Sequence, residues 1–105
     1  MAQGDLTKEI EYDKIEVVMQ WNIQVRKATK VMEEQADGSK KELSRSFHRH
    51  VLQPFKSVKD SDDKWTHTPT DISKEDASVQ AIANAAWTDS VKTAYKTWAE
   101  SQTTP

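Results

Sequence analysis

The chain has 105 residues, of which 35% are apolar and 30% charged, with a formal net charge of −2 and no cysteine. That length suits one domain with a thin core, and the lack of thiols excludes a disulfide framework or a thiolate metal site. Glycine occurs only at Gly4 and Gly38, which excludes phosphate-loop and dinucleotide fingerprints, and no apolar run approaches the roughly 18 residues of a membrane span.

Residues 1–11 are polar and read as an arm that is loose at its start. Met1-Ala2-Gln3-Gly4-Asp5 has neither a basic start nor an apolar segment, so it does not read as a signal peptide. The expectation is a protein used in the cytoplasm of the cell that makes it, neither secreted nor membrane-bound. From Ile15 to Val31 apolar and polar residues then alternate: Ile15, Val17, Met19, Trp21, Ile23, Val25, Thr29 and Val31 are separated by Glu16, Gln20, Asn22, Gln24, Arg26 and Lys30. Side chains on a strand switch faces at each residue, so this reads as one half-buried strand or two in succession.

Ala36-Asp37-Gly38-Ser39 is a turn signal, and a further strand is expected over about Lys41–Leu52. A two-residue loop at Asp37-Gly38 would set Val31 against Ser44. A three-residue loop over Ala36–Gly38 sets Val31 against Leu43 and Ile23 against Val51, which shares a face between apolar residues. The expectation is therefore a three- or five-residue loop with a bulge. The rival reading makes 41–52 helical, because Leu43, Phe47 and Val51 also recur every four residues.

Residues 53–72 carry Pro54, Pro69 and an acidic run at Asp60-Ser61-Asp62-Asp63, without periodicity, and read as a long loop. Helical periodicity begins at Ser73, with Asp76 three residues later resembling a capping box. Val79, Ile82, Ala83 and Ala86 form one stripe; Trp87, Val91, Ala94, Tyr95 and Trp98 form another. Thr88 is placed to cap a second helix, so 73–101 reads as two short helices rather than one, followed by a frayed tail over 102–105. The fold class that results is α+β: an antiparallel β-hairpin or meander packed against one or two C-terminal helices. Its expected core is Ile15, Val17, Trp21, Ile23, Val25, Val31, Leu43, Phe47, Val51, Val79, Ile82, Trp87, Val91, Tyr95 and Trp98.

Charge is segregated along the chain. Arg26 to Lys56 holds eight Lys/Arg against four Asp/Glu, and the remainder holds seven against thirteen. Such segregation steers an oppositely charged partner or favours head-to-tail self-association; its plainer reading is a strand with a basic solvent face. His48 and His50 alternate and so share a face, but zinc requires a third and usually a fourth ligand. Asp60-x-Asp62-Asp63 starts like a calcium loop, yet the later ligand positions hold Lys64, Trp65 and Asp71, and the match fails. No serine has an evident histidine partner, and no carboxylate sits in an apolar setting that would tune it for proton transfer. The chain therefore reads as a non-enzyme without a cofactor or metal. The residues expected to touch a partner are Arg26, Lys30, Arg45, Arg49, His48 and His50 on the basic hairpin, with Trp65 as an anchor in the loop. A β-ribbon lined by Arg26, Lys30, Arg45 and Arg49, with Phe47 or Trp21 stacking on a base, would make it a nucleic-acid binder instead.

Several strings occur together in order: Glu11-Tyr12-Asp13-Lys14-Ile15-Glu16-Val17-Val18, Gln24-Val25-Arg26, Ser44-Arg45-Ser46-Phe47-His48-Arg49-His50-Val51-Leu52, Asp71-Ile72-Ser73, Val79-Gln80-Ala81-Ile82 and Ala86-Trp87-Thr88. In these the chain resembles a group of small uncharacterised proteins encoded by tailed bacteriophages, over most of residues 11–90. The resemblance carries no activity and no site residues. It implies a small viral protein acting by protein–protein interaction, as a virion or assembly component or as an inhibitor of a host factor. Its partner would be a phage structural protein, a second copy or a host protein, and its location the host cytoplasm or the virion.

Overall fold

The alternating stretch is cut in the middle by a reversal of the chain. In the computed structural model, which describes residues 4–102, Met19 and Gln20 both have positive φ, 58° and 73°. Positive φ at both central residues marks a type I′ turn, whose twist matches that of paired strands. The stretch is thus two strands, β1 (Leu6–Val18) and β2 (Asn22–Glu34), and β3 (Lys40–Leu52) completes an antiparallel sheet in the order β1-β2-β3. At the far end of the first pair, Gly4 N–H donates to Glu34 O and Glu34 N–H to Asp5 O, both at 2.9 Å. Between that end and the Met19-Gln20 turn, the side chains of Asp13 and Arg26 bond across the same two strands.

The arm expected over residues 1–11 is corrected: from Leu6 onward it is strand, because its alternation of Leu6, Ile10 and Tyr12 with polar residues suits an outer strand. Residues 1–3 and 103–105, parts of the expected arm and tail, lie outside the described residues. Between β2 and β3, Gln35 N–H donates to Ser39 O at 2.7 Å and Gly38 takes φ 87°, so the loop is Ala36, Asp37 and Gly38. The helical alternative for 41–52 is excluded.

The long loop expected over 53–72 is also corrected. It contains a second antiparallel hairpin, β4 (Phe55–Lys59) and β5 (Trp65–Pro69), with Ser57 opposite His67 and Lys59 opposite Trp65. The acidic run is its turn: the Asp60 carboxylate accepts the N–H groups of Asp62 at 2.8 Å and Lys64 at 3.0 Å, and Asp63 takes φ 61°. Aspartate tolerates that left-handed conformation better than most residues and bonds its own backbone in turns.

Two helices follow, α1 (Ala77–Ala86) and α2 (Asp89–Ser101). Thr88 caps α2 through Val91 N–H, as its position implied. The cap of α1 is Asp76 rather than Ser73, since residues 73–75 are spent in a turn closed by Glu75 N–H to Ile72 O. Among the described residues no helix is long and apolar enough to cross a membrane.

The chain divides into two compact units. One runs to Ile15 and takes in Val25–His50; the other takes Glu16–Gln24 and the chain from Val51 onward. In the second unit the core is aromatic. Trp21 lies 5.7 Å from both Tyr95 and Trp98, and Tyr95 stacks at 6.3 Å on Phe55. The Trp87 indole N–H donates to Trp21 O at 2.8 Å, while Ile23, Val79 and Ala83 are wholly buried. Gln53 joins this core by polar bonds, donating to Asn22 Oδ1 at 3.0 Å and accepting from the Tyr95 hydroxyl at 3.2 Å.

The turn yields a test. Non-glycine residues at positive φ cost on the order of 1–3 kcal/mol, and Asn-Gly is the favoured type I′ pair. Met19→Asn with Gln20→Gly is expected to raise unfolding stability by about 1–2 kcal/mol, read from the denaturant midpoint at unchanged slope. A loss of stability would mean that the Met19 side chain matters more than the backbone strain it imposes.

Candidate functional site

Two places gather groups able to do chemistry or recognition. The first is one face of the large sheet in the unit that holds Val25–His50. Asp13 and Arg26 face each other there in a two-pronged bond, Nε to Oδ1 at 3.0 Å and Nη2 to Oδ2 at 2.8 Å. That hydrogen bond, with the guanidinium charge behind it, holds the Asp13 carboxyl below its usual range. The Arg26 guanidinium also sits 4.6 Å over the Phe47 ring, and Arg49 lies 5.5 Å from the same ring. Phe47 therefore shares the face of Arg26, the face opposite buried Val25.

This overturns the expected face assignment. The Gln35–Ser39 pair starts β3 in the register that sets odd residues against odd, which would place Phe47 beside Lys27 on the Val25 face. Phe47 lies under Arg26 instead, so the pairing gains a residue between the turn and Phe47, as a bulge does. The Glu42–Arg45 ion pair at 2.7 Å joins residues three apart, which a regular strand would hold on opposite faces. Leu43 at 48%, Phe47 at 43% and Val51 at 56% are consequently exposed rather than core, as is Val17. Ile15, Val31, Ile82, Val91 and Trp98 are half-buried, while Ala28, Phe55 and Ala99 enter the core unforeseen.

The basic residues expected to meet a partner are mostly occupied at home. Arg26 is bonded to Asp13, Arg45 to Glu42, and Lys30 lies 3.4 Å from Glu11. Arg49 covers Phe47. His48 and His50 stand on one face with rings 5.7 Å apart, as alternation required. Among the described residues no group of three His, Cys, Asp or Glu side chains converges to hold a metal. What distinguishes β3 is its exposure: every residue from Lys40 to Arg49 is solvent-exposed, and the strand is an outer one.

The second place was not foreseen from the sequence. The His67 Nδ1 is 2.7 Å from the Ser57 hydroxyl directly across the small hairpin, and its Nε2 is 2.7 Å from the Glu100 carboxylate on α2. Trp65 stacks parallel on the His67 ring at 6.1 Å, and Phe55 meets it edge-on at 6.1 Å. Trp65, expected as an exposed anchor in a loop, is thus a half-buried residue of β5. The hidden signal was the pairing itself: Ser57 and His67 become neighbours only once 53–72 is read as a hairpin. A hydroxyl, an imidazole and a carboxylate in series are the parts of an activated nucleophile. The same three groups also clasp hairpin to helix, and the aromatic rings on both sides of His67 favour that structural role.

Comparison with protein-family models, curated proteins and solved structures finds no match to this chain.

Two experiments follow from these placements. Phe47→Ala is expected to cost about 1 kcal/mol, the size of exposed cation–π contacts, and Trp21→Ala about 3–5 kcal/mol, both read from denaturant unfolding. Equal costs would return Phe47 to the core. His67→Ala is expected to cost about 2–3 kcal/mol through two hydrogen bonds and a ring stack, while the wild type takes up no fluorophosphonate. A Ser57 adduct that His67→Ala abolishes would make the clasp a nucleophile and its base.

Proposed function

We propose that the chain is a non-enzymatic protein that works by protein–protein contact, with strand β3 as its working edge. The observation that carries this reading is a thirteen-residue outer strand that is solvent-exposed almost throughout yet bears Leu43, Phe47 and Val51. An outer strand leaves a row of backbone N–H and C=O groups without partners and recruits a further strand. Exposed apolar side chains along the same strand add area that association removes from water. The resemblance to small tailed-phage proteins supplies the setting, in which such an edge serves a virion or assembly component.

The nucleic-acid alternative has less support. A phosphate backbone is held by cations that can exchange counterions for phosphates. Here Arg26, Lys30 and Arg45 are already matched with carboxylates of the same face. Phe47 carries two guanidinium groups where a base would have to stack.

A photo-crosslinking residue at Ser46 on β3, compared with one at the exposed Asn84 of α1, tests the reading in cells that naturally make the protein. Adducts are expected from position 46 and not from 84. Their absence at 46, or equal adducts at both positions, overturns it. Adducts with nucleic acid would establish the alternative, and adducts with a host protein would move the role from assembly to inhibition.

A further inference from the structure

The reading of β3 as a working edge leaves its mate unnamed, and the opposite edge of the same sheet has the properties required. Strand β1 is the other outer strand and is also thirteen residues long, which at a rise near 3.3 Å gives each edge a length of roughly 40 Å. The two edges carry opposite charge. Strand β1 holds Glu9, Glu11, Asp13 and Glu16 against Lys8 and Lys14. Strand β3 holds Lys40, Lys41, Arg45 and Arg49 against Glu42.

The charges also share one face. Asp13, Arg26 and Phe47 are joined by direct contact on a single side of the sheet. Alternation adds Glu9 and Glu11 to that side from β1, and Arg45 and Arg49 from β3. Resting on the reading above, we infer that the partner of β3 is strand β1 of a second copy of this chain, added in parallel so that the sheet continues from copy to copy.

The geometry fixes the orientation. In a sheet ordered β1-β2-β3 the outer strands run in the same direction. A copy shifted sideways sets its β1 beside the first copy's β3, parallel and with the same face forward. Glu9, Glu11 and Asp13 then stand beside Arg45, Phe47 and Arg49. Leu6 and Ile10, both more than 60% exposed, lie on the other face of β1, so the face that carries Phe47 is matched by charge. The competing contact, β3 against β3, sets four cations against four and is disfavoured by like-charge repulsion. A contact between two different edges leaves β1 of the first copy and β3 of the second unused, so it grows into a ring or an open filament rather than stopping at a dimer.

Sedimentation velocity on the full chain at rising concentration and low salt tests this. The wild type is expected to grow past the dimer. Arg45→Glu with Arg49→Glu, and separately Glu9→Lys with Glu11→Lys, are each expected to stay monomeric to at least about ten-fold higher concentration, with unchanged far-ultraviolet circular dichroism. Mixed in equal amounts, the two variants regain complementary edges at both contacts, and assembly is expected to return. If either double variant fails to fold, Arg49→Glu and Glu11→Lys carry the same cycle singly. A wild type that is monomeric at every concentration, one that stops at a dimer, or a mixture that does not recover overturns the inference. Crosslinks from position 46 to another protein would leave β3 a working edge with a different mate.

Discussion

The second compact unit depends on the placing of one indole. Trp21 follows a two-residue turn that neither Met19 nor Gln20 is suited to make, and the turn costs backbone strain at both. The return is packing. Immediately after the reversal, Trp21 meets Tyr95 and Trp98 from α2, and its carbonyl takes the indole N–H of Trp87 from the end of α1. Edge-on and tilted aromatic pairs add to plain burial, and the buried hydrogen bond adds direction. A looser turn would swing Trp21 away from both helices at once. Local strain and tertiary packing are therefore one feature seen from two sides, and the packing outweighs the strain.

That coupling explains what the sequence disclosed and what it concealed. The helices were legible, including their separation at Trp87-Thr88, because Thr88 is a side-chain acceptor at the start of a stripe. The turn at Met19-Gln20 was not, because the alternation runs through it and neither residue signals a turn. Only the aromatic core selects it. The small hairpin was hidden for the opposite reason. Its strands have five residues each, too few to show a period against the prolines and aspartates around them. The Ser57–His67–Glu100 clasp was hidden with it, since it requires a cross-strand neighbour and a helix residue far away in sequence.

The largest disagreement concerns β3, and it has a physical rather than a statistical origin. Apolar residues at alternate positions say that a strand has an apolar face. They do not say which face of the sheet it is. One inserted residue exchanges the faces of everything beyond it, and the turn-proximal register alone would have buried Phe47. Arg26 above the ring and the Glu42–Arg45 pair across three residues record that exchange. The result is a face where Phe47 lies among guanidiniums and carboxylates, half covered by charge and half open to solvent.

A face of this kind has a definite electrostatic logic. Asp13 with Arg26 and Glu11 with Lys30 tie β1 to β2, and Glu42 with Arg45 lies within β3, yet strand by strand β1 holds four carboxylates against two lysines and β3 four cations against one glutamate. Acidic β1 and basic β3 are separated by the width of one central strand. Neighbouring strands lie about 4.8 Å apart, so the two edges are about 10 Å apart, close to the Debye length in physiological salt. At that separation salt largely decouples one edge from the other, and a small net charge coexists with a strong difference between edges. Like edges repel and unlike edges attract, so the same residues that guard β3 against its own kind select β1. Edge charge is usually read as protection from aggregation; when the two edges of a sheet carry opposite signs, protection against one contact becomes preference for the other.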